Sequence, residues 1–231
     1  MVIAVDGPAA AGKGTLARRI AGHLGFAYLD TGLLYRCVAA KLLRAGRDPE
    51  DAAAAEAAAR SVRIEDLDAP DLRSEAVSQA ASKVAAIPGV RGALLGLQRR
   101  FAAEPPPLRE GGPRPPGVVM DGRDIGTVVC PEAPVKIFIT ASPEVRAARR
   151  AREIALETLG VNELIGERAE RIYARVLQDM IERDARDAAR AVAPLVPARD
   201  ARVIDTSALD PDEAFAAALA YISEVGVADP A

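Results

Sequence analysis

The chain predicts an α/β protein built on a parallel sheet, and three features carry that prediction. Five short strand-like runs, Val2–Val5, Ala27–Leu29, Val118–Met120, Val135–Thr140 and Arg202–Asp205, have the length of strands. Helical stretches separate them, the pattern of strands joined by crossovers. Polar strings follow the first three runs directly: Gly7 onward, Asp30-Thr31-Gly32, and Asp121-Gly122-Arg123-Asp124. Ligands in open parallel sheets sit beyond the carboxyl ends of the strands, so the three strings should meet in one crevice.

The first run leads into Gly7-Pro8-Ala9-Ala10-Ala11-Gly12-Lys13-Gly14-Thr15, and a helix-like stretch follows from Leu16 to Leu24. In this strand–loop–helix setting the string reads as a phosphate-binding loop. Gly7 and Gly12 let the backbone form a nest of inward N–H groups, to which the following helix adds the positive end of its dipole. Lys13 supplies a mobile charge for the outer phosphates, and the Thr15 hydroxyl is placed to reach a bound Mg2+. The plainer alternative is a strand-to-helix turn that merely needs glycine.

After the second run, Thr31 reads as a helix cap or, with Arg36 five residues on, as one of two groups reaching a ligand at the helix start. Helices are expected at roughly 33–45, 49–60, 72–86 and 89–103, before a Pro- and Gly-rich segment from Glu104 to Gly117. Residues 31–117 thus form an insertion over one side of the site, ending in a loop. After the third run, Gly122 permits a tight turn. Arg123 can clamp a phosphate, while Asp124 can accept from an amino group or a ribose, position Mg2+ through water, or bond its own turn backbone.

Ser142-Pro143 is a helix N-cap followed by proline at the first helical position. An Arg-laden helix, a break at Gly160-Val161-Asn162 and a second charged helix reaching Arg190 follow, and residues 143–194 read as a lid. The remainder, 1–30, 118–142 and 195–231, is the core. Arg183, Arg186, Asp187 and Arg190 share one helical face, opposite an Ala-rich one. An anionic ligand would relieve their repulsion; a solvated charged face is the alternative. Arg146, Arg149, Arg150 and Glu153 form a similar stripe.

The 231 residues suit one large domain, half apolar but only 3% aromatic, so helices should pack on the sheet through small side chains. A net charge of −3 argues against a nucleic-acid polymer or a membrane as partner. Of the 30 basic residues only Lys13, Lys41, Lys83 and Lys136 are lysine. Arginine's planar fork suits phosphate recognition, although a GC-rich genome produces the same skew. Cys37 and Cys130 have no metal spacing and fit a reducing compartment. No apolar run reaches 18 residues, and the first strand starts at once, so the expectation is a cytoplasmic monomer without a signal peptide. His23 is the single histidine and should face solvent, which leaves Ser–His or Cys–His chemistry without support. Phosphoryl transfer needs alignment and cationic charge more than a strong base.

The Gly-Lys-Gly-Thr spelling is similar to the nucleoside monophosphate kinases more than to GTPases or motor ATPases. Further strings extend the likeness: Asp30-Thr31-Gly32 with Tyr35-Arg36, Ser82-Lys83-Val84-Ala85, and Pro88 with Val90-Arg91. Asp121 through Thr127, Arg183-Asp184 through Asp187, and Arg190 through Leu195 complete it. Together they resemble the bacterial cytidylate kinases over nearly the whole chain. The resemblance implies a P-loop kinase with a nucleoside-monophosphate-binding insert and a helical lid, passing phosphate from ATP with Mg2+ to CMP and dCMP. By that likeness Ser82, Arg91 and Asp124 would bond the cytosine, and Arg183 and Asp187 the sugar. Thr31, Tyr35, Arg36, Arg123 and Arg190 would surround the CMP phosphate, with Asp30 beside them, and residues 7–15 would hold ATP. Lys13, Arg123, Asp124 and the lid residues Arg183, Arg186 and Arg190 would act on the transferring group. Cytosine offers a donor at N4 beside acceptors at N3 and O2, which an Asp–Arg–Ser set matches, whereas uracil sets an acceptor against the carboxylate.

The chain departs from the family in three places. Only Val62 to Leu72 stands where a small antiparallel sheet usually precedes the Ser82 helix; Thr31 replaces the commoner Ser; and the Pro-rich link is long. Rival readings are a kinase for UMP or shikimate and a nucleotide-gated switch, but the switch's Asn-Lys-x-Asp motif is absent from the sequence.

Overall fold

The structure, a computed structural model, describes residues 1–159, 166–190 and 192–226. Five strands pair in parallel in the order β2-β3-β1-β4-β5: β1 (Val2–Asp6), β2 (Ala27–Asp30), β3 (Val118–Gly122), β4 (Val135–Thr140) and β5 (Arg202–Asp205). Each of the first three runs one or two residues beyond its apolar stretch. The ladder continues through Asp6 opposite Gly122 and Asp30 opposite Asp121, so the first polar residue of each string is held in register by the sheet.

Alternation sorts the strand side chains to two faces. Ile3 and Val5 join Ile137 and Ile139 against α1 (Lys13–Leu24) and α8 (Pro211–Glu224). Ala4 and Met120 face the other way with Leu29, towards Phe101 of α5 (Pro88–Ala103). A second core lies outside the sheet, where α2 (Thr31–Arg44), α3 (Ala52–Arg60), α4 (Glu75–Val84) and α5 bury Leu34, Val38, Val77, Val84, Val90 and Leu94. The α6 (Pro143–Leu159) and α7 (Glu167–Ala188) pair has a smaller apolar seam at Ala147, Val176 and Met180.

Capping explains the shifted helix boundaries. Asp51 accepts from the Ala54 N–H and starts α3 there, and Ser74 accepts from Val77 and starts α4. Two 3-10 turns, Ile64–Asp68 and Pro70–Arg73, occupy the stretch before α4, including Leu72, which lies outside the helix. Thr31 is not a cap: Asp30 holds that position, and the Thr31 hydroxyl donates to the Asp121 carbonyl at 2.7 Å. The α7 helix ends at Ala188, so Arg190 lies beyond it. No sequence expectation covered α8, although Asp210 and Glu213 form a capping box with Pro211 at the first position.

The Pro-rich link does not end over the crevice. Gly117 precedes Val118, whose partners Val2 and Ala27 begin their strands, and the Met1 ammonium donates to the Pro116 carbonyl. That is the amino end of the sheet, and no residue of 104–117 lines the cavity at the carboxyl end. The expected break at Gly160-Val161-Asn162, and Ala191, lie outside the described residues. Among the described residues no helix is long and apolar enough to cross a membrane.

Candidate active site

A cavity of about 880 Å³ opens beyond the carboxyl ends of the strands. Residues Ala9 through Thr15 form one wall; Gly7 and Pro8 are buried behind it. Gly7 has φ +146°, and a Cβ there would stand 2.0 Å from the Ile139 carbonyl oxygen, so only glycine fits at the root of the loop. The Lys13 Nζ is folded back to donate to the Pro8 carbonyl at 3.1 Å. Burial, then the Arg123 guanidinium, pull its pKa down to about 8, while Asp121 and Asp30 oppose the fall. Thr15 is exposed and lines the cavity.

Beyond the loop, Asp121 is buried and accepts from the Tyr28 hydroxyl at 2.6 Å. Burial, then Asp30, raise its pKa to about 6. Neither Tyr28 nor Asp121 was singled out from the sequence as a site residue. The signal for Asp121 in the sequence is its position at a strand end.

Two ion-pair clusters also line the cavity. In the first, the buried Arg91 guanidinium pairs with the buried Asp124 carboxylate and also donates to the Ala85 carbonyl at 3.3 Å. Its charge lies 5.6 Å from the centre of the Tyr35 ring. The Tyr35 pKa is raised, chiefly by burial. Ser82 is buried and lines the same cavity, and its Oγ meets no hydrogen-bond partner among the described residues.

In the second cluster, Asp187 is 1% exposed and accepts from Arg123 Nε at 3.0 Å and from Arg190. Burial works against its carboxylate, but Arg123, Arg190 and Arg183 together hold its pKa below the ordinary value. Arg183 is itself brought down to about 10 by burial and then by Arg123. The Nε atoms of Arg183 and Arg190 have no partner among the described residues. Arg36 is held differently, donating to the Leu72 carbonyl at 2.8 Å and to Ser78 Oγ. Asp30, Thr31, Tyr35, Arg36, Ser82, Arg91, Arg123, Asp124, Arg183, Asp187 and Arg190 therefore all line the same cavity as Lys13 and Thr15.

Arg186 does not. It is exposed, lies outside the cavity lining and is close enough to Lys83 on α4 to disfavour that lysine's charge. The α7 face that meets the cavity is narrower than the four-residue stripe, and Arg186 falls on its outer edge. Ala185, Ala188 and Ala189 are exposed together with Arg186, whereas Asp187 is buried and Arg183 half-buried on the cavity side. The stripe on α6 also splits. Arg146, 4% exposed in its side chain, bridges the Asp184 carboxylate, the Ala141 carbonyl and the Ala9 carbonyl of the phosphate-binding loop. Arg149 donates to the Thr206 hydroxyl and carbonyl, and that hydroxyl donates on to the Ala11 carbonyl at 3.0 Å. Arg150 reaches Glu75 at the start of α4 from across the cavity. His23 is exposed, edge-on to Phe215.

Comparison with known proteins gives the same family from end to end. The family model described as cytidylate kinase matches residues 3–224. A cytidylate kinase of Paramagnetospirillum magneticum is 63% identical over 221 residues, covering 96% of this chain and 97% of its own. Those of Azorhizobium caulinodans and Methylocella silvestris are each 54% identical over 222 residues. Both alignments cover 96% of this chain, with 98% and 94% of the respective relative.

Proposed function

The chain belongs to the cytidylate kinase family, enzymes that phosphorylate CMP, and from that premise we propose that it passes the terminal phosphoryl group of ATP in line to CMP and dCMP. The observation that carries the reading is that the buried Arg91–Asp124 pair and the partnerless Ser82 line the cavity that also contains the phosphate-binding loop. A carboxylate, a guanidinium and a hydroxyl offer cytosine an acceptor for N4 and donors for N3 and O2. Uracil would turn an acceptor towards Asp124, and a buried mismatch of that kind costs roughly 1–3 kcal/mol.

ATP rests on residues 7–15, where backbone N–H groups and Lys13 meet its phosphates. Asp187 and Arg183 hold the sugar, and Arg36, Arg123 and Arg190 hold the CMP phosphate. With two anionic groups brought end to end, the guanidiniums and Lys13 oppose the charge on the oxygens and hold them aligned. The hydroxyl of Thr15 and the carboxylates of Asp30 and Asp121 line one wall, an oxygen set that suits a hard divalent cation. Bound there with the phosphates, Mg2+ would neutralise charge on the transferring group.

Within residues 31–117 the helical part before the Pro-rich link serves as the acceptor-binding region, and 143–194 as a lid against the core. Closure excludes water and so suppresses ATP hydrolysis. The contact of Arg150 with Glu75 supports such an approach of lid to insert. The protein is proposed to act as a monomer in the cytoplasm.

The test is an incubation of the protein with ATP, Mg2+ and CMP, dCMP, UMP or shikimate in turn, identifying every phosphorylated product. CDP and dCDP are expected with little UDP. UDP or shikimate phosphate as the main product, or ADP formed without a phosphorylated acceptor, would overturn the reading.

A further inference from the structure

Asp6 ends β1 and immediately precedes Gly7, so sequence position associates it with the donor's loop. Its side chain points elsewhere. Oδ1 accepts from the Ile125 N–H at 2.8 Å and Oδ2 from the Gly126 N–H at 2.7 Å, and the residue is 6% exposed. Those two amides open the π-helical turn Ile125–Val129 that follows Asp124. The Ile125 N–H belongs to the peptide whose direction is set by the Asp124 ψ of 25°. Holding that N–H therefore holds the Asp124 backbone from one side. From the other, the Asp124 carbonyl accepts from Val128 and Val129.

We propose that Asp6 is a positioning residue for the acceptor base: it fixes the peptide after Asp124 and thereby the aim of the Asp124–Arg91 pair. The inference rests on the reading of Asp124 as a cytosine contact. Two converging N–H donors need two acceptors, which a carboxylate supplies and an amide does not. The choice of a buried anion here is not free. Burial and, to a smaller extent, nearby Asp124 raise the pKa of Asp6 to about 6 against the lowering effect of the Gly126 and Ile125 N–H groups. Bracing β1 alone would not call for a charge so close to Asp124.

The experiment compares wild type, Asp6→Asn, Asp124→Asn and Asp51→Ala for kcat and KM with CMP, UMP and ATP, alongside melting temperature. Asp51→Ala removes the α3 cap and serves as a destabilised control away from the cavity. Asp124→Asn should lower the CMP-to-UMP ratio of kcat/KM at least about tenfold, and Asp6→Asn about five- to tenfold, the size of one lost hydrogen bond. In Asp6→Asn the KM for CMP should rise while the KM for ATP stays within about twofold, and Asp51→Ala should keep the wild-type ratio. If Asp6→Asn gives no folded protein, Asp6→Glu takes its place, since it keeps the charge but displaces both oxygens. A reduced ratio in Asp124→Asn with an unchanged ratio at Asp6 overturns the proposal and leaves the base reading standing. An unchanged ratio in Asp124→Asn removes the base reading, and this inference with it.

Discussion

A hydroxyl buried without a partner, as at Ser82, has given up its bonds to water and gained none in exchange. Removing it should cost the fold almost nothing, whereas a ligand that bonds it should miss it. Ser82→Ala is therefore expected to melt within about 2 °C of wild type, yet to raise the KM for CMP by about three- to tenfold. Calorimetry and initial rates on the same preparation check both halves, and a large loss of stability with an unchanged KM would assign Ser82 to packing. Lys13 gives the residue scale its pH dependence. Burial and Arg123 lower its pKa to about 8 in the free protein, so the ammonium that meets phosphate is lost as pH rises through that value. The kcat/KM for ATP, which reports the free enzyme, should fall above about pH 8. In the loaded enzyme the phosphates favour the charged form, so the same limb in kcat should move upward by about one unit or more. Limbs at the same pH in both profiles would exclude Lys13 as the group responsible.

At the scale of elements, Arg146 ties α6, α7 and the phosphate-binding loop together through Asp184 and the Ala9 carbonyl. The Arg146 side chain is almost fully buried and that of Asp184 is 27% exposed, so loss of either partner leaves a charge incompletely solvated. A double-mutant cycle with Arg146→Ala and Asp184→Ala should give a coupling of about 1–3 kcal/mol in denaturant unfolding. Simple additivity would show that the contact contributes nothing to the fold. The same elements mark what could be read in advance. Strands, the phosphate-binding loop and the Ser142-Pro143 helix start are local patterns, and the strand-end rule gathered their polar strings at one edge. Pairs such as Tyr28 with Asp121 or Arg146 with Asp184 lie 93 and 38 residues apart, beyond the reach of periodicity. Arg186 shows the limit of helical spacing: it identifies which residues share a face but not how much of that face a cavity touches. The end of the 104–117 link was misplaced for a topological reason, since a segment entering a parallel strand must finish at the amino end of the sheet.

The whole molecule carries a net charge of −3, but its cavity gathers Lys13, Arg36, Arg91, Arg123, Arg183 and Arg190. Only part of that charge is matched from within: Asp121 and Asp30 favour the Lys13 ammonium, Asp124 pairs with Arg91, and Asp187 is shared between Arg123 and Arg190. The lowered pKa values of Lys13 and Arg183 express the remainder, since in both burial and neighbouring arginine charge disfavour another cation. An anion that enters this cavity relieves repulsion present only in the folded state, so it must stabilise folding by linkage. A ligand at one hundred times its Kd adds about 2.7 kcal/mol. For a chain of this length that raises the melting temperature by roughly 5–11 °C at about 2–4 °C per kcal/mol. CMP should reach this range, while cytidine at the same concentration, having the base and sugar but no phosphate, should give a much smaller shift. Equal shifts for CMP and cytidine would mean that Arg36, Arg123 and Arg190 do not receive the phosphate, whatever the base contacts do. An intermediate CMP shift that collapses in Arg123→Ala, with the cytidine shift unchanged, would assign the difference to that guanidinium.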